Sequence, residues 1–342
     1  MAARLHRVKE KLHIESVPVP VLGEEDVLIE VKASGICHSD INYREGISVV
    51  GRLPIILGHE IAGIIADVGG RVHGIEKGDR VCVHYVLSCG ECVFCATGRE
   101  NFCEHYKMVG KDVDGGFAEY VKVPSKNALK LPSSIPFEQG AIIGCAVSTA
   151  FHALKRGRVN AGETVVIYGV GGVGIHAVQL AARIFGAGKV IAVDISEQKL
   201  KIAKKAGADE VINAAKEKPV QRIKEITYGK LSDVALDFVG LKTTLEQAIN
   251  CVGKGGRVVV VGISSENITV HPYKTIIGKE IEIIGVNDHL KSEMIQLINL
   301  VDSGKIDLST SITHKIRLED VNYGMEMLEK GTENPVRIVI TQ

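Results

Sequence analysis

Four of the eight cysteines crowd into fifteen residues: Cys89, Cys92, Cys95 and Cys103, separated by x2, x2 and x7. Thiolates at this spacing can surround one ion and close a tetrahedral zinc site. The stretch 88–98 is polar, with little core of its own, so a bound ion would order it. Zinc is favoured over two alternatives. An iron–sulfur cluster is one, although the bacterial ferredoxin run ends C-x3-C-P and this one ends x7-C-E. Disulfides are the other, and they suit a small exported domain better than a 342-residue chain opening MAARLHRVKEKLHIES, with no apolar leader. A site saturated by sulfur has no room for substrate, so chemistry is expected elsewhere.

A second pattern is Gly169-Val170-Gly171-Gly172-Val173-Gly174. Glycine makes up 37 of 342 residues, so a G-x-G-x-x-G match alone says little. Its context says more. The β-branched run 164–168 (TVVIY) precedes it, a helical pattern over 173–185 follows, and the next strand, 189–193, leads into Asp194, 20 residues past Gly174. The first glycine allows a tight turn, the second lets the backbone approach a pyrophosphate, and the third lets helix and strand pack closely. The pyrophosphate would rest on the helix N-terminus. Asp194 would accept hydrogen bonds from ribose hydroxyls and repel a 2′-phosphate, which favours NAD over NADP.

The elements that must carry these residues fall into two styles. Up to about residue 145, short runs at 27–31, 61–68, 80–83 and 117–123 alternate with Gly, Pro, Asp and Asn, the pattern of a barrel-like or sandwich β domain. A helix is expected over 133–154. Beyond residue 158, strands at 164–168, 189–193, 210–212, 234–238, 257–261 and 281–284 alternate with helical stretches, among them 197–206. That alternation predicts a doubly wound parallel sheet. The tail holds helices at 290–302 and 319–329 and a last strand at 336–340.

Bulk properties exclude some classes. Lys plus Arg and Asp plus Glu are both 41, so there is no excess positive field for nucleic acid or anionic lipid. The cysteine cluster is flanked by Glu91, Glu100 and Glu104 rather than by a basic stripe. No apolar run approaches the roughly 20 residues that span a bilayer. A cytoplasmic enzyme with neither nucleic-acid nor membrane partners is expected.

Two further segments pair metal-type residues with glycine: Gly35-Ile-Cys37-His38-Ser39-Asp40 and Gly58-His59-Glu60. The run Gly58-His59-Glu60-x2-Gly63-x5-Gly69-x2-Val72 resembles the zinc signature of medium-chain alcohol dehydrogenases. Gly78-Asp79-x-Val81, the four-cysteine lobe, Gly144-Cys145-Ala-Val-Ser148-Thr149 and the glycine turn resemble the same family, in its order and along the whole chain. The resemblance implies a GroES-like β-barrel catalytic domain over 1–146 with a structural-zinc lobe at about 88–104, a Rossmann NAD-binding domain over 147–287, and a 288–342 segment returning to the first domain. It implies a catalytic zinc on Cys37, His59 and Cys145, with Glu60 beside it as an exchangeable ligand and Asp40 orienting the histidine. It implies that the enzyme passes hydride between a small alcohol and NAD, yielding an aldehyde or ketone. A thiolate at Cys145 resembles the simple alcohol branch; the polyol branch usually has a carboxylate in that region. Polyol or threonine-type dehydrogenases are the nearest alternative, and a non-catalytic zinc- and NAD-binding protein a distant one.

The same resemblance makes Ser39 the hydroxyl that hydrogen-bonds the substrate oxygen and starts a proton relay. Where many relatives finish that relay with histidine, this chain has Asn42, which cannot titrate near neutrality. Thr149 would border the nicotinamide, Lys199 the adenosine ribose, and His38 and Arg337 the pyrophosphate; for Arg337 the alternative is a solvated strand charge. Tyr85 matches a substrate-pocket aromatic, the alternative being a packed strand residue. A homodimer or homotetramer is implied, with strand 280–286 available for pairing. Cys82 and Cys251 sit in apolar surroundings and read as buried thiols.

Overall fold

The computed structural model describes all 342 residues, which divide into two units: Met1–Ser148 with Asp288–Gln342, and Thr149–Asn287. In the second unit, six parallel strands stand in the order Glu210–Asn213, Lys189–Asp194, Thr164–Tyr168, Ser232–Asp237, Val252–Val260, Glu282–Gly285. The central runs are apolar because helices cover both faces of such a sheet. Val166, Tyr168, Ile191, Val193, Ala235 and Val258 form its buried core. The first strand in sequence, Thr164–Tyr168, is central, so the glycine turn leaves from the middle of the sheet, where the direction of strand addition reverses. The strand expected at 257–261 begins earlier, at Val252. Its first residue, Val252, pairs with Ser232, a register shift separates this from the Val234–Arg257 pair, and Gly255 takes a φ of +69° between them.

The first unit is a seven-stranded, mostly antiparallel sheet with a small three-stranded sheet beside it. Its axis is the 11-residue strand Asp26–Ile36. Register shifts at Leu28/Ile29 and Val31/Ala33 mark bulges in its pairing with Glu60–Val68. Bulges bend a strand, and this one pairs with Tyr120–Pro124 along its first half and with Arg337–Thr341 along its second. The C-terminal strand therefore enters the sheet rather than capping it, lying between Asp26–Ile36 and Ile312–Ile316. The single helix expected over 133–154 is three pieces: Phe137–Ile142, a π turn Ile143–Val147, and Ser148–Arg156. A π turn widens the helix by one residue and frees a carbonyl, and here the Ser148 hydroxyl donates to Ile143 O at 2.6 Å. No helix is long and apolar enough to cross a membrane.

Candidate active site

Sheet register brings the dispersed residues together. Gly35 lies opposite Glu60, and Ile36 opposite Ile338, so Cys37, His59, Glu60 and Arg337 all come from adjacent strand ends. The π turn supplies Cys145. One donor atom from each of Cys37, His59, Glu60 and Cys145 lies within 4.8 Å of the others, and all four residues are buried. Nε2 of His59 and Oε1 of Glu60 lie buried without conventional hydrogen bonds. Buried polar atoms in this state are costly unless something coordinates them. Two sulfurs, an imidazole and a carboxylate form a donor set suited to zinc, and three of them leave a fourth position open.

Asp40 ties the set together. Cys37 starts the helix His38–Arg44, and its N–H donates to Asp40 Oδ2 at 2.9 Å. The other oxygen accepts from Gly58 N–H at 3.2 Å and stands 3.4 Å from His59 Nδ1. A carboxylate on Nδ1 turns Nε2 toward the metal position. Hydrogen bonding with Cys145 holds the Cys37 thiol well below its usual range and pushes Cys145 up. Ser39 is half-buried, its Oγ 3.8 Å from the Cys37 sulfur. Asn42 is half-buried, and its carbonyl accepts from Ile47 and Ser48.

Arg337 is not a solvated strand charge. It is 3% exposed and its guanidinium is ion-paired with Glu60, which is fully buried. Burial pushes Glu60 up to about 7 against the opposing pull of Arg337. Gly35 makes room for the pair, since a Cβ there would overlap the Glu60 carboxylate. Tyr85 lies just past the end of strand Arg80–Val83, 3% exposed, its ring edge-on to His59 with centroids 5.0 Å apart. Sequence inspection missed its hydroxyl partner, Asp288, together with Tyr106 and the Arg337–Glu60 pairing. These residues are distant in sequence and carry no spacing signature.

The four-cysteine lobe is preformed. Its Sγ atoms approach at 3.5 to 3.8 Å, too far for disulfides, and all eight cysteines are free. Backbone N–H groups of Cys89, Cys92 and His105 point at sulfur at 3.2 to 3.4 Å. Such donors stabilise thiolates, and those from Cys95 and Glu104 draw Cys92 down to about 6. Sulfur spacing and donors fit a closed metal site.

In the second unit, Gly169 takes a φ of +80°, and a Cβ on Gly174 would overlap the Gly169 carbonyl, so the turn requires glycine at both positions. Helix Gly174–Arg183 begins at once. Asp194 ends its strand with Oδ2 accepting from Val170 N–H and Oδ1 from Ser196 N–H, both at 2.9 Å, which anchors the turn to the carboxylate. The Lys199 amine lies 3.9 Å from the Cβ position of Gly171. Gly172 and Val173 complete the turn, Thr149 is half-buried at the start of the unit, and His38, in the first unit, is exposed.

One buried group beside the site sets a pH dependence. His84 abuts Tyr85 and His289 and is 2% exposed. Burial pushes it down to about 4, although Glu100 and the His289 backbone favour its charge and Lys291 opposes it. Between an unfolded value of about 6.5 and the folded value, only the unfolded chain binds this proton. Stability is therefore lost as pH falls through that window, by about 3 kcal/mol when complete, and is unaffected above it. Thermal melts of the parent and His84→Asn from pH 7 to about 4.5 should show a shallower decline in the variant; equal slopes would contradict the assignment.

Comparisons with known proteins agree with this architecture. Residues 23–133 match the alcohol dehydrogenase GroES-like domain family, and residues 172–303 match the zinc-binding dehydrogenase family. The chain is 37% identical to an alcohol dehydrogenase of Geobacillus stearothermophilus over 341 residues, covering 99% of this chain and 98% of that one. It is also 37% identical to the sorbitol dehydrogenase of Bacillus subtilis, covering 95% and 92%. The crystal structure of the Aeropyrum pernix alcohol dehydrogenase superposes with a TM-score of 0.92 at 35% identity, covering 100% and 99%. A GroES-like β domain joined to a parallel Rossmann-type sheet, with two sulfur-rich donor sets, defines a zinc-binding dehydrogenase. The chain belongs to the zinc-dependent medium-chain dehydrogenase family, whose members include alcohol, sorbitol and threonine dehydrogenases.

Proposed function

We propose that this chain is an NAD-dependent zinc alcohol dehydrogenase interconverting a small alcohol and its aldehyde or ketone. The observation that carries this reading is the convergence of Cys37, His59 and Cys145 while Glu60 is paired with Arg337. Zinc held there supplies a Lewis acid that acidifies the substrate hydroxyl or polarises the carbonyl. NAD supplies the hydride acceptor. Two thiolates and a neutral imidazole offset the ion's double charge, so an uncharged substrate meets a neutral site. Asp40 keeps the imidazole in the orientation that requires. Ser39 would take the proton from the substrate oxygen; because Asn42 cannot accept it, water or the cofactor ribose would carry it on. Cys89, Cys92, Cys95 and Cys103 would hold a second, structural zinc.

The Gly169–Gly174 turn and the helix behind it receive the pyrophosphate. Asp194 and Lys199 take the adenosine ribose and Thr149 borders the nicotinamide; His38, exposed in the first unit, is assigned to the pyrophosphate, whereas Arg337 is buried and committed to Glu60. Tyr85 lines the substrate pocket. The outer strand Glu282–Gly285, with Ile283 exposed, is the edge we assign to pairing between subunits in a homo-oligomer. The test is zinc content by mass spectrometry, followed by NADH and NADPH formation with primary and secondary alcohols, sorbitol and L-threonine. About two zincs per chain and NAD-linked oxidation of simple alcohols are expected. Preference for sorbitol or L-threonine would move the chain to the polyol or threonine branch, and fewer than two zincs would overturn the site assignment.

A further inference from the structure

Beside the Cys37, His59 and Cys145 set stand aromatic and acidic side chains that no motif connects. The Tyr85 hydroxyl donates to Asp288 Oδ1 and the Tyr106 hydroxyl to Oδ2 of the same carboxylate, both at 2.9 Å. Another tyrosine, the buried Tyr43, donates to the Met108 sulfur at 3.3 Å. The polar end of each ring is thus engaged inside the protein. What Tyr85 turns to His59 is the ring, edge-on at 77°.

Asp288 is itself well placed to act as a clamp. It is where the chain re-enters the first unit, and its φ is +52°, a conformation that Asp tolerates better than most residues. The chain after it is pinned. Leu290 N–H donates to Glu293 Oε2 at 3.1 Å, and Lys291 N–H to Glu100 Oε1 at 2.7 Å. Glu100 lies within the four-cysteine lobe, and Tyr106 follows Cys103 by three residues. The carboxylate therefore has a fixed backbone, and one of its two phenols is tied to the lobe.

We propose that Asp288 is a positioning residue that sets substrate preference: by holding the Tyr85 and Tyr106 hydroxyls together, it presents an aromatic wall beside His59, so the site takes alcohols with apolar alkyl or aryl substituents over polyhydroxy ones. This rests on the dehydrogenase reading above. An aromatic face offers contact area to a hydrocarbon chain and no partner to a buried hydroxyl, and an unpartnered buried hydroxyl is costly. Without Asp288, both phenols become free to hydrogen-bond a polar substrate.

The test compares Asp288→Leu, Asp288→Asn and Tyr106→Phe with the parent enzyme loaded with zinc. Asp288→Leu should raise KM for benzyl alcohol roughly tenfold, with kcat within about threefold, and narrow the preference for benzyl alcohol over glycerol by roughly tenfold or more. Asp288→Asn keeps an acceptor and should recover part of the loss; it also serves if the leucine variant does not fold. Tyr106→Phe, which removes one of the two hydroxyls on the Asp288 carboxylate, should fall between the two. A second readout does not need turnover. The chain has eight tyrosines and no tryptophan, so its near-UV circular dichroism is weighted toward tyrosine. Asp288→Leu and Tyr106→Phe should both weaken that signal with zinc content unchanged. Folded Asp288→Leu enzyme with the parental KM ratio and tyrosine signal would overturn the proposal. If the parent oxidises no alcohol, the dehydrogenase reading fails and the specificity role falls with it, while the tyrosine signal still shows whether Asp288 clamps the rings.

Discussion

Replacing Cys145 with alanine is expected to lower kcat/KM for alcohol oxidation by on the order of 10³-fold or more, and to reduce zinc from about two ions per chain to about one. The size follows from what the thiolate does. The metal is asked for several kcal/mol of stabilisation of negative charge on the substrate oxygen, and each 1.36 kcal/mol is a factor of ten. Without Cys145, the remaining donors are Cys37, His59 and a Glu60 whose carboxylate is paired with Arg337. If Glu60 left Arg337 to replace the missing thiolate, zinc would be retained with the same formal ligand charge, but Arg337 would be left without its partner. The four-cysteine lobe serves as an internal control, because its ligands do not change. Cys145→Ala enzyme that kept two zincs and parental turnover would show that the π turn does not carry a catalytic ligand. A loss of zinc confined to one site, with normal melting of the rest, would support the assignment.

The second large effect is on stability. Arg337→Met is expected to destabilise the first unit by about 3–5 kcal/mol, the cost of leaving a buried charge without its partner. Glu60 is completely buried, and Cys37 and Asp40 beside it further disfavour its charge. Glu60→Gln alone should cost less, because it leaves Arg337 with the two thiols still nearby. The double variant should recover much of the loss, since neither charge remains. Thermal or denaturant unfolding of the four proteins in this cycle gives the coupling directly. Additive losses would mean that the pair is not an energetic unit. A coupling of about 2 kcal/mol or more would show that Arg337 restrains Glu60 beside the metal donors.

Much of the fold was legible because its signals are local. Strand runs such as 164–168 and 189–193 lie within a residue of the observed elements, as do the helices at 197–206 and 290–302. Ser196 accepting from Lys199 N–H, and Gly207 at positive φ, show why helix Glu197–Ala206 starts and stops where its residues indicate. The misses have a common cause. The break at Ile143–Val147 is invisible to an apolar pattern, because a π turn shifts the helix phase by only one residue. The early start of strand Val252–Val260 depends on pairing with Ser232, which its glycine-rich sequence does not announce. Arg337 reads from sequence as a pyrophosphate contact, or else a solvated strand charge, because nothing nearby in sequence offers it a partner; Glu60 lies 277 residues away.

The division between sequence and tertiary structure follows from range. By itself, the sequence determined the chemical inventory: four thiols spaced for one ion, a turn that only glycine can make, and Cys, His and Glu in motifs particular enough to name the family. These depend on residue type and short spacing, which the covalent chain already sets. Only the tertiary structure decided how the dispersed residues meet. A register pairing Gly35 with Glu60 and Ile36 with Ile338 places Arg337 on Glu60, and a re-entering segment places Asp288 beneath two tyrosines. Register is chosen by the burial of whole strands, since a slip of one residue would turn every side chain to the opposite face. The partners of Glu60 and Tyr85 are therefore consequences of the packed sheet and cannot be read from the residues around them.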